Sequence, residues 1–188
     1  MQRSISGPLG QEQTQHTRLK PTAASMKLAY KKTNSPVGTL KLVASDKGLV
    51  AVLWEKEKPN RVRLGELEER NTHPVLVEAE RQLGEYFAGK RRSFSVALDM
   101  RGTPFQRNVW EALLDIPFGE TRSYREIAMR LGNQQATRAV GTANGRNPIS
   151  IIVPCHRVIG SNGKLTGFAG GLKAKALLLE LEQEHRPQ

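Results

Sequence analysis

Two capping boxes set the layout of the second half of this chain. Thr103-Pro104-Phe105-Gln106 and Ser123-Tyr124-Arg125-Glu126 each place a hydroxyl residue three positions before Gln or Glu. At that spacing the hydroxyl accepts a backbone N–H of the first helical turn while the Gln or Glu side chain returns to the cap's own N–H. Pro104 at the first helical position needs no amide and has its φ preset. The first helix then shows Phe105, Val109, Trp110, Leu113 and Leu114 on one face and ends before Pro117 and Gly119. The second is short, with Ile127 and Leu131 inward, and stops at Gly132. A third is predicted over 135–143. Two short helices with a tight Gly-containing turn make a helix-turn-helix.

The first half is punctuated differently. From Lys27 to Met100 the signals are mostly strand. Segments 37–44 and 49–54 are rich in β-branched residues and flank Asp46-Lys47-Gly48, which reads as a hairpin turn. Pro74 to Phe87 carries Val75, Ala79, Leu83 and Tyr86 at helical spacing. Phe94, Val96 and Leu98 alternate with polar residues and predict another strand. The expected fold class is α+β. A small N-terminal β-sheet domain with a helix spans 26–100, and a mainly helical C-terminal domain with a helix-turn-helix spans 101–188. Residues 1–25 are polar and aperiodic and read as a disordered tail or an added extension, with Met26 as an alternative start.

Charge narrows the partners. Lys and Arg number 29 against 18 Asp and Glu, a net charge of +11. Such a balance favours a polyanion, either nucleic acid or an anionic membrane surface, although a basic protein without such a partner has the same count. No apolar run approaches the roughly 20 residues that span a bilayer. The N-terminus has no apolar signal core, so the expected compartment is the cytoplasm. A single cysteine excludes an internal disulfide and a Cys-rich zinc site. His16, His73, His156 and His185 lack ligand spacing, so neither metal nor cofactor is expected.

Two features carry chemistry. The third helix groups Ala136, Ala139, Gly141, Thr142 and Ala143 around Arg138. Small side chains permit either tight helix–helix packing or close approach to a DNA groove, and an inserted Arg can fill the space of an unstacked base. The other is Cys155, which follows the apolar run Ile149 to Val153 and Pro154. That run should be buried, so Cys155 and His156 would stand at the end of a rigid element. A lone cysteine is either a small buried hydrophobe or a nucleophile. Only a few per cent of a free thiol is ionised at neutral pH, so a base or a positive charge is required, and His156 and Arg157 are the candidates. Adjacent side chains point apart, which favours a water bridge between His156 and the thiol.

Pro154-Cys155-His156-Arg157-Val158 resembles the active-site signature of the O6-alkylguanine-DNA alkyltransferases. Arg138-Ala139-Val140-Gly141, Asn147-Pro148 and Gly170-Gly171-Leu172 follow that family's order and spacing, as do Gly102 to Gln106, Ile116-Pro117 and Gly119-Glu120. The resemblance is dense from Arg101 to Glu182 and weaker back to Met26, through Ser35-Pro36-Val37-Gly38 as a strand start and Tyr86-Phe87-Ala88-Gly89.

The resemblance implies an RNase H-like N-terminal domain and irreversible, single-turnover transfer of an alkyl group from O6-alkylguanine in DNA to Cys155. Activity on O4-alkylthymine stays open. His156 would be the base acting through water, and Glu182 the carboxylate that orients it, with Glu180 a near neighbour. Asn147 would brace the turn. Tyr124 would crowd the flipped nucleotide and help protonate the leaving guanine. Arg138 would replace the extruded base, and Ala139, Gly141, Thr142 and Ala143 would lie in the minor groove of double-stranded DNA. Val158, Phe168, Ala169 and Lys175 would belong to the base pocket. The resemblance implies a monomer, with cooperative assembly on DNA left open. Phe168 stands where many members have Tyr, and Phe118 where Cys is frequent. A lesion-binding relative without the cysteine, a promoter-binding regulator and a thiol hydrolase are the competing classes; Cys155, the absence of an N-terminal cysteine module and the helix-turn-helix weigh against them in turn.

Overall fold

The computed structural model describes residues 27–186. The expected tail over 1–25 lies outside them. Four strands form one sheet: β1 (Leu28–Thr33), β2 (Leu40–Ser45), β3 (Gly48–Trp54) and β4 (Leu67–Glu69), in the spatial order β3-β2-β1-β4. The first three run antiparallel to their neighbours, and β4 pairs parallel with β1. The turn at Asp46-Lys47 falls where expected. Ser35 to Gly38 does not start a strand. It is the turn between β1 and β2, closed by reciprocal backbone bonds between Ser35 and Gly38, with Gly38 at a φ of 101°.

Helix α1 (Pro74–Phe87) covers one face of the sheet with Leu76, Ala79, Leu83 and Tyr86. The strand expected at Phe94 to Leu98 is absent as a regular element. A single bridge, Leu49 with Leu98, takes its place. The alternation there reflects side chains turning into the core from an irregular segment.

Helices α2 (Pro104–Leu114) and α3 (Tyr124–Arg130) both begin with complete capping boxes, at Thr103 and Ser123. Helix α4 (Thr137–Gly145) follows one turn of 3-10 helix at Gln134–Ala136, so it starts and ends about two residues later than predicted. Trp110 on α2 donates its indole N–H to the Ala143 carbonyl at 2.9 Å and ties α2 to the end of α4. Helix α5 (Gly171–Glu184) closes the chain.

The two halves meet along β3, whose seven residues are all buried. Its free edge is bonded twice. Leu49 exchanges backbone bonds with Ala97 and Asp99, and Val52 donates to the Pro148 carbonyl at 2.9 Å. The second contact fastens the sheet to the residues just ahead of Cys155. No helix among the described residues is long and apolar enough to cross a membrane.

Candidate active site

The run Ile149 to Val153 is buried, as its composition requires, but it is a tight turn rather than a strand. Val153 donates to the Ile149 carbonyl, and Ile151 sits at a φ of +72°, rare for a β-branched residue. Asn147 holds this turn from inside. Its amide donates to the Val153 carbonyl at 2.9 Å and its side-chain oxygen accepts from the Ile149 N–H at 3.0 Å.

Cys155 opens a 3-10 turn, Cys155–Arg157, at the end of this segment. Strand β6 (Val158–Ile159) follows and pairs parallel with β5 (Arg122–Ser123), whose Ser123 caps α3. Backbone hydrogen bonds therefore join the helix-turn-helix to the cysteine segment.

Cys155 and His156 are both buried. Burial pushes the Cys155 thiol above its ordinary value; the Asn147 side chain and the charges of Arg61 and Lys175 act in the other direction. Sequence reasoning gave the positive charge to Arg157, and the structure puts Arg157 elsewhere.

Arg157 pairs with Glu182. Its Nε donates to Oε2 at 2.9 Å and its Nη2 to Oε1 at 3.0 Å, while Nη1 donates to the Ile116 carbonyl at 2.6 Å. Glu182 also accepts from the Tyr86 hydroxyl at 2.8 Å and the Gly119 N–H at 3.0 Å, and lies 2.7 Å from His156 Nε2. Burial disfavours its ionisation, but the bonds from His156 and Arg157 prevail and hold the carboxyl at about 2. Glu180 is exposed, so Glu182 is the carboxylate that reaches His156. Burial holds the His156 imidazole below its ordinary value despite Glu182. Burial thus favours the neutral ring. An ionised carboxylate only accepts, so the ring proton is on Nε2 and Nδ1 keeps a lone pair. Nδ1 is buried and has no hydrogen-bond partner. The site thus holds an oriented, unprotonated base directly beside a buried thiol in sequence.

Tyr124, Arg138, Gly141 and Thr142 from the helix-turn-helix face Thr166 to Ala169 across a cleft of about 510 Å³, with Arg61 at its edge. The Tyr124 hydroxyl accepts from Thr166 Oγ1 at 3.1 Å, which leaves its own proton free. Arg138, Ala139 and Thr142 are exposed. Ala143 departs from expectation: it is buried against α2 and offers no surface. Val158 and Lys175 are buried too and do not line the cleft. Lys175 Nζ instead donates to the Val158 and Thr166 carbonyls, at 2.6 and 2.9 Å, and braces the pocket loop from below. Burial lowers that ammonium to about 8. Phe168 packs edge-on against Trp54 with ring centroids 5.2 Å apart.

Three participants escaped sequence reasoning. Tyr86 is a helix-face residue and part of the family motif in sequence, without a site role, yet its hydroxyl ends on Glu182. Arg61 donates to the Asn147 carbonyl and pairs with Glu57. The Gly119 amide carries no side-chain signal at all. Among the described residues no cluster of three His, Cys, Asp or Glu converges as a metal site would need.

Two family models match the chain. The 6-O-methylguanine DNA methyltransferase ribonuclease-like domain matches residues 28–100, and the DNA binding domain of the same name matches 104–184. A methylated-DNA–protein-cysteine methyltransferase of Mycolicibacterium paratuberculosis is 49% identical over 160 residues, covering 85% of this chain and 95% of that protein. One from Methanosarcina acetivorans is 53% identical over 148 residues, covering 79% and 94%. The crystal structure of Mycobacterium tuberculosis OGT in complex with DNA superposes with a TM-score of 0.76 at 48% identity, covering 85% of this chain and 95% of that one.

Proposed function

This chain belongs to the 6-O-methylguanine DNA methyltransferase family, and from that membership we propose how its own residues move an alkyl group from O6-alkylguanine in DNA onto Cys155. The observation that carries the reading is the buried pair of His156 and Glu182, 2.7 Å apart, with His156 Nδ1 unpartnered. It supplies what a buried thiol lacks, an acceptor for its proton.

The proton leaves Cys155 Sγ through a bridging water to His156 Nδ1, and Glu182 stabilises the imidazolium that forms. The thiolate attacks the alkyl carbon bound to O6. The S–C bond forms as the C–O bond breaks, and the electron pair leaves with guanine. Guanine takes up one proton from the Tyr124 hydroxyl, and the proton held on His156 passes through solvent to restore Tyr124, so that the thiol proton ends on guanine. The product thioether has no activated water to cleave it, so Cys155 reacts once and is spent.

The alkylated atom lies inside the duplex, so the nucleotide must be extruded into the cleft beneath Phe168. Arg138 fills the gap, and the exposed Ala139 and Thr142, with Gly141, approach the minor groove, whose weak sequence code suits damage found in any sequence. Arg61, near the thiol, favours its ionised form. The protein acts as a monomer in the cytoplasm.

Duplex DNA carrying O6-methylguanine tests this directly, with the intact protein weighed by mass spectrometry. One added methyl on the Cys155 peptide, absent in Cys155→Ser, is expected. A protein that binds the lesion and stays unmodified would be a non-catalytic lesion binder instead.

A further inference from the structure

A second cleft, of about 420 Å³, opens on the other side of Arg61. Arg61, Arg63, Arg101 and Arg146 line it together with Thr103 and Gln106, and no carboxylate is among its lining residues. Arg61 and Arg101 are partly neutralised by Glu57 and Asp99. Arg63 and Arg146 are exposed and have no carboxylate partner among the described residues. The four come from three places in the chain: the β3–β4 connection, the segment before α2 and the end of α4. Packing the sheet against the helices brings them together. Like charges so gathered repel one another, which costs stability unless an anion occupies the space.

We infer that this cleft holds a backbone phosphate of the DNA duplex, outside the lesion site. The inference rests on the repair reading above. Arg138 and Arg146 mark the two ends of α4, and Arg146 is its C-cap. Eight residues of helix at 1.5 Å each span about 12 Å. That equals about three to four base-pair rises of 3.4 Å. With α4 laid along the duplex, DNA that offers its extruded base to the first cleft presents a phosphate to the second about three to four nucleotides away. Guanidinium groups suit that ligand, since they meet phosphate oxygens with paired N–H donors.

The test is the double variant Arg63→Gln/Arg146→Gln, compared with the wild type on a long lesion-bearing duplex and on one that ends two base pairs from the lesion. On the long duplex the variant should bind about tenfold weaker, as expected for a lost charged hydrogen bond. Its log–log salt dependence should be shallower by about one to two units. On the short duplex the two proteins should bind alike. Arg63→Lys/Arg146→Lys should recover most of the affinity, which a folding defect would not allow. Equal affinity and salt slope on the long duplex would overturn the proposal. So would an equal loss on both duplexes, or binding of inorganic phosphate by the wild type that the variant lacks, since the cleft would then be a small-anion site. Reaction with free O6-benzylguanine reads the repair assignment separately, because it needs no phosphate contact.

Discussion

Arg157 and Glu182 form a buried two-pronged ion pair, with contacts of 2.9 and 3.0 Å. Arg157 directly follows His156 in sequence, and both side chains converge on the same carboxylate from the far end of α5. The pair keeps Glu182 ionised inside the protein, and an ionised Glu182 fixes the tautomer of His156.

Removing Arg157 takes away the one charged partner opposite Glu182 and leaves the buried carboxylate with Tyr86, the Gly119 N–H and His156. Arg157→Met should therefore cost about 3–5 kcal/mol of stability. Arg157→Lys should recover only part, because an ammonium cannot reproduce the fork. Urea unfolding measures both. A loss below about 1 kcal/mol for Arg157→Met would show that the pair is dispensable.

Asn147 serves the turn ahead of Cys155 with both ends of its amide. Asn147→Ala leaves one buried carbonyl and one buried N–H without partners, at about 2–4 kcal/mol together. It also removes a hydrogen bond that favours the thiolate. Reaction with free O6-benzylguanine should slow as well as the unfolding midpoint falling. A normal rate in a destabilised protein would confine Asn147 to bracing.

Gly170 lies where the pocket loop crosses Trp54. An added Cβ would stand 2.6 Å from the indole ring. Gly170→Ala should push the loop off Trp54, at about 1–3 kcal/mol, and slow benzyl transfer. Trp54→Leu in that background should restore part of the rate by making room. A wild-type rate in Gly170→Ala alone would contradict the close approach.

Acid should lower the stability of this protein over two pH windows. His156 and Glu182 both bind protons less readily folded than unfolded. Where the unfolded chain binds more protons, stability falls as pH falls. The His156 contribution declines below its ordinary 6.5. The Glu182 contribution declines below its ordinary 4.5 and is spent near 2. Urea midpoints across this range should drop in both windows, and Glu182→Gln should show a smaller lower drop, the remainder coming from other carboxylates held below their ordinary values, such as Asp99. A flat wild-type profile from pH 7 to 3 would refute the assignment.

Much of the architecture is decided within a few residues and is therefore legible in sequence. The capping boxes at Thr103 and Ser123, the stop at Gly132 and the turn at Asp46-Lys47 depend on bonds across two or three positions. The apolar run ahead of Cys155 and the family signature around it are likewise contiguous in sequence. Other features needed distant partners. Phe94 to Leu98 has the alternation of a strand but finds only one ladder contact. Ile151 adopts a left-handed φ that its side chain argues against, because Asn147 and the surrounding core impose it. Ala143 and Arg138 look alike as groove residues in sequence, and only packing against Trp110 puts one inside. The charge near the thiol follows the same rule. Sequence adjacency pointed to Arg157, while the fold sent Arg157 to Glu182 and brought Arg61 and Lys175 toward Cys155. Local hydrogen bonding fixed the elements of this protein; the electrostatics of its site were decided by which distant side chains the core could bring together.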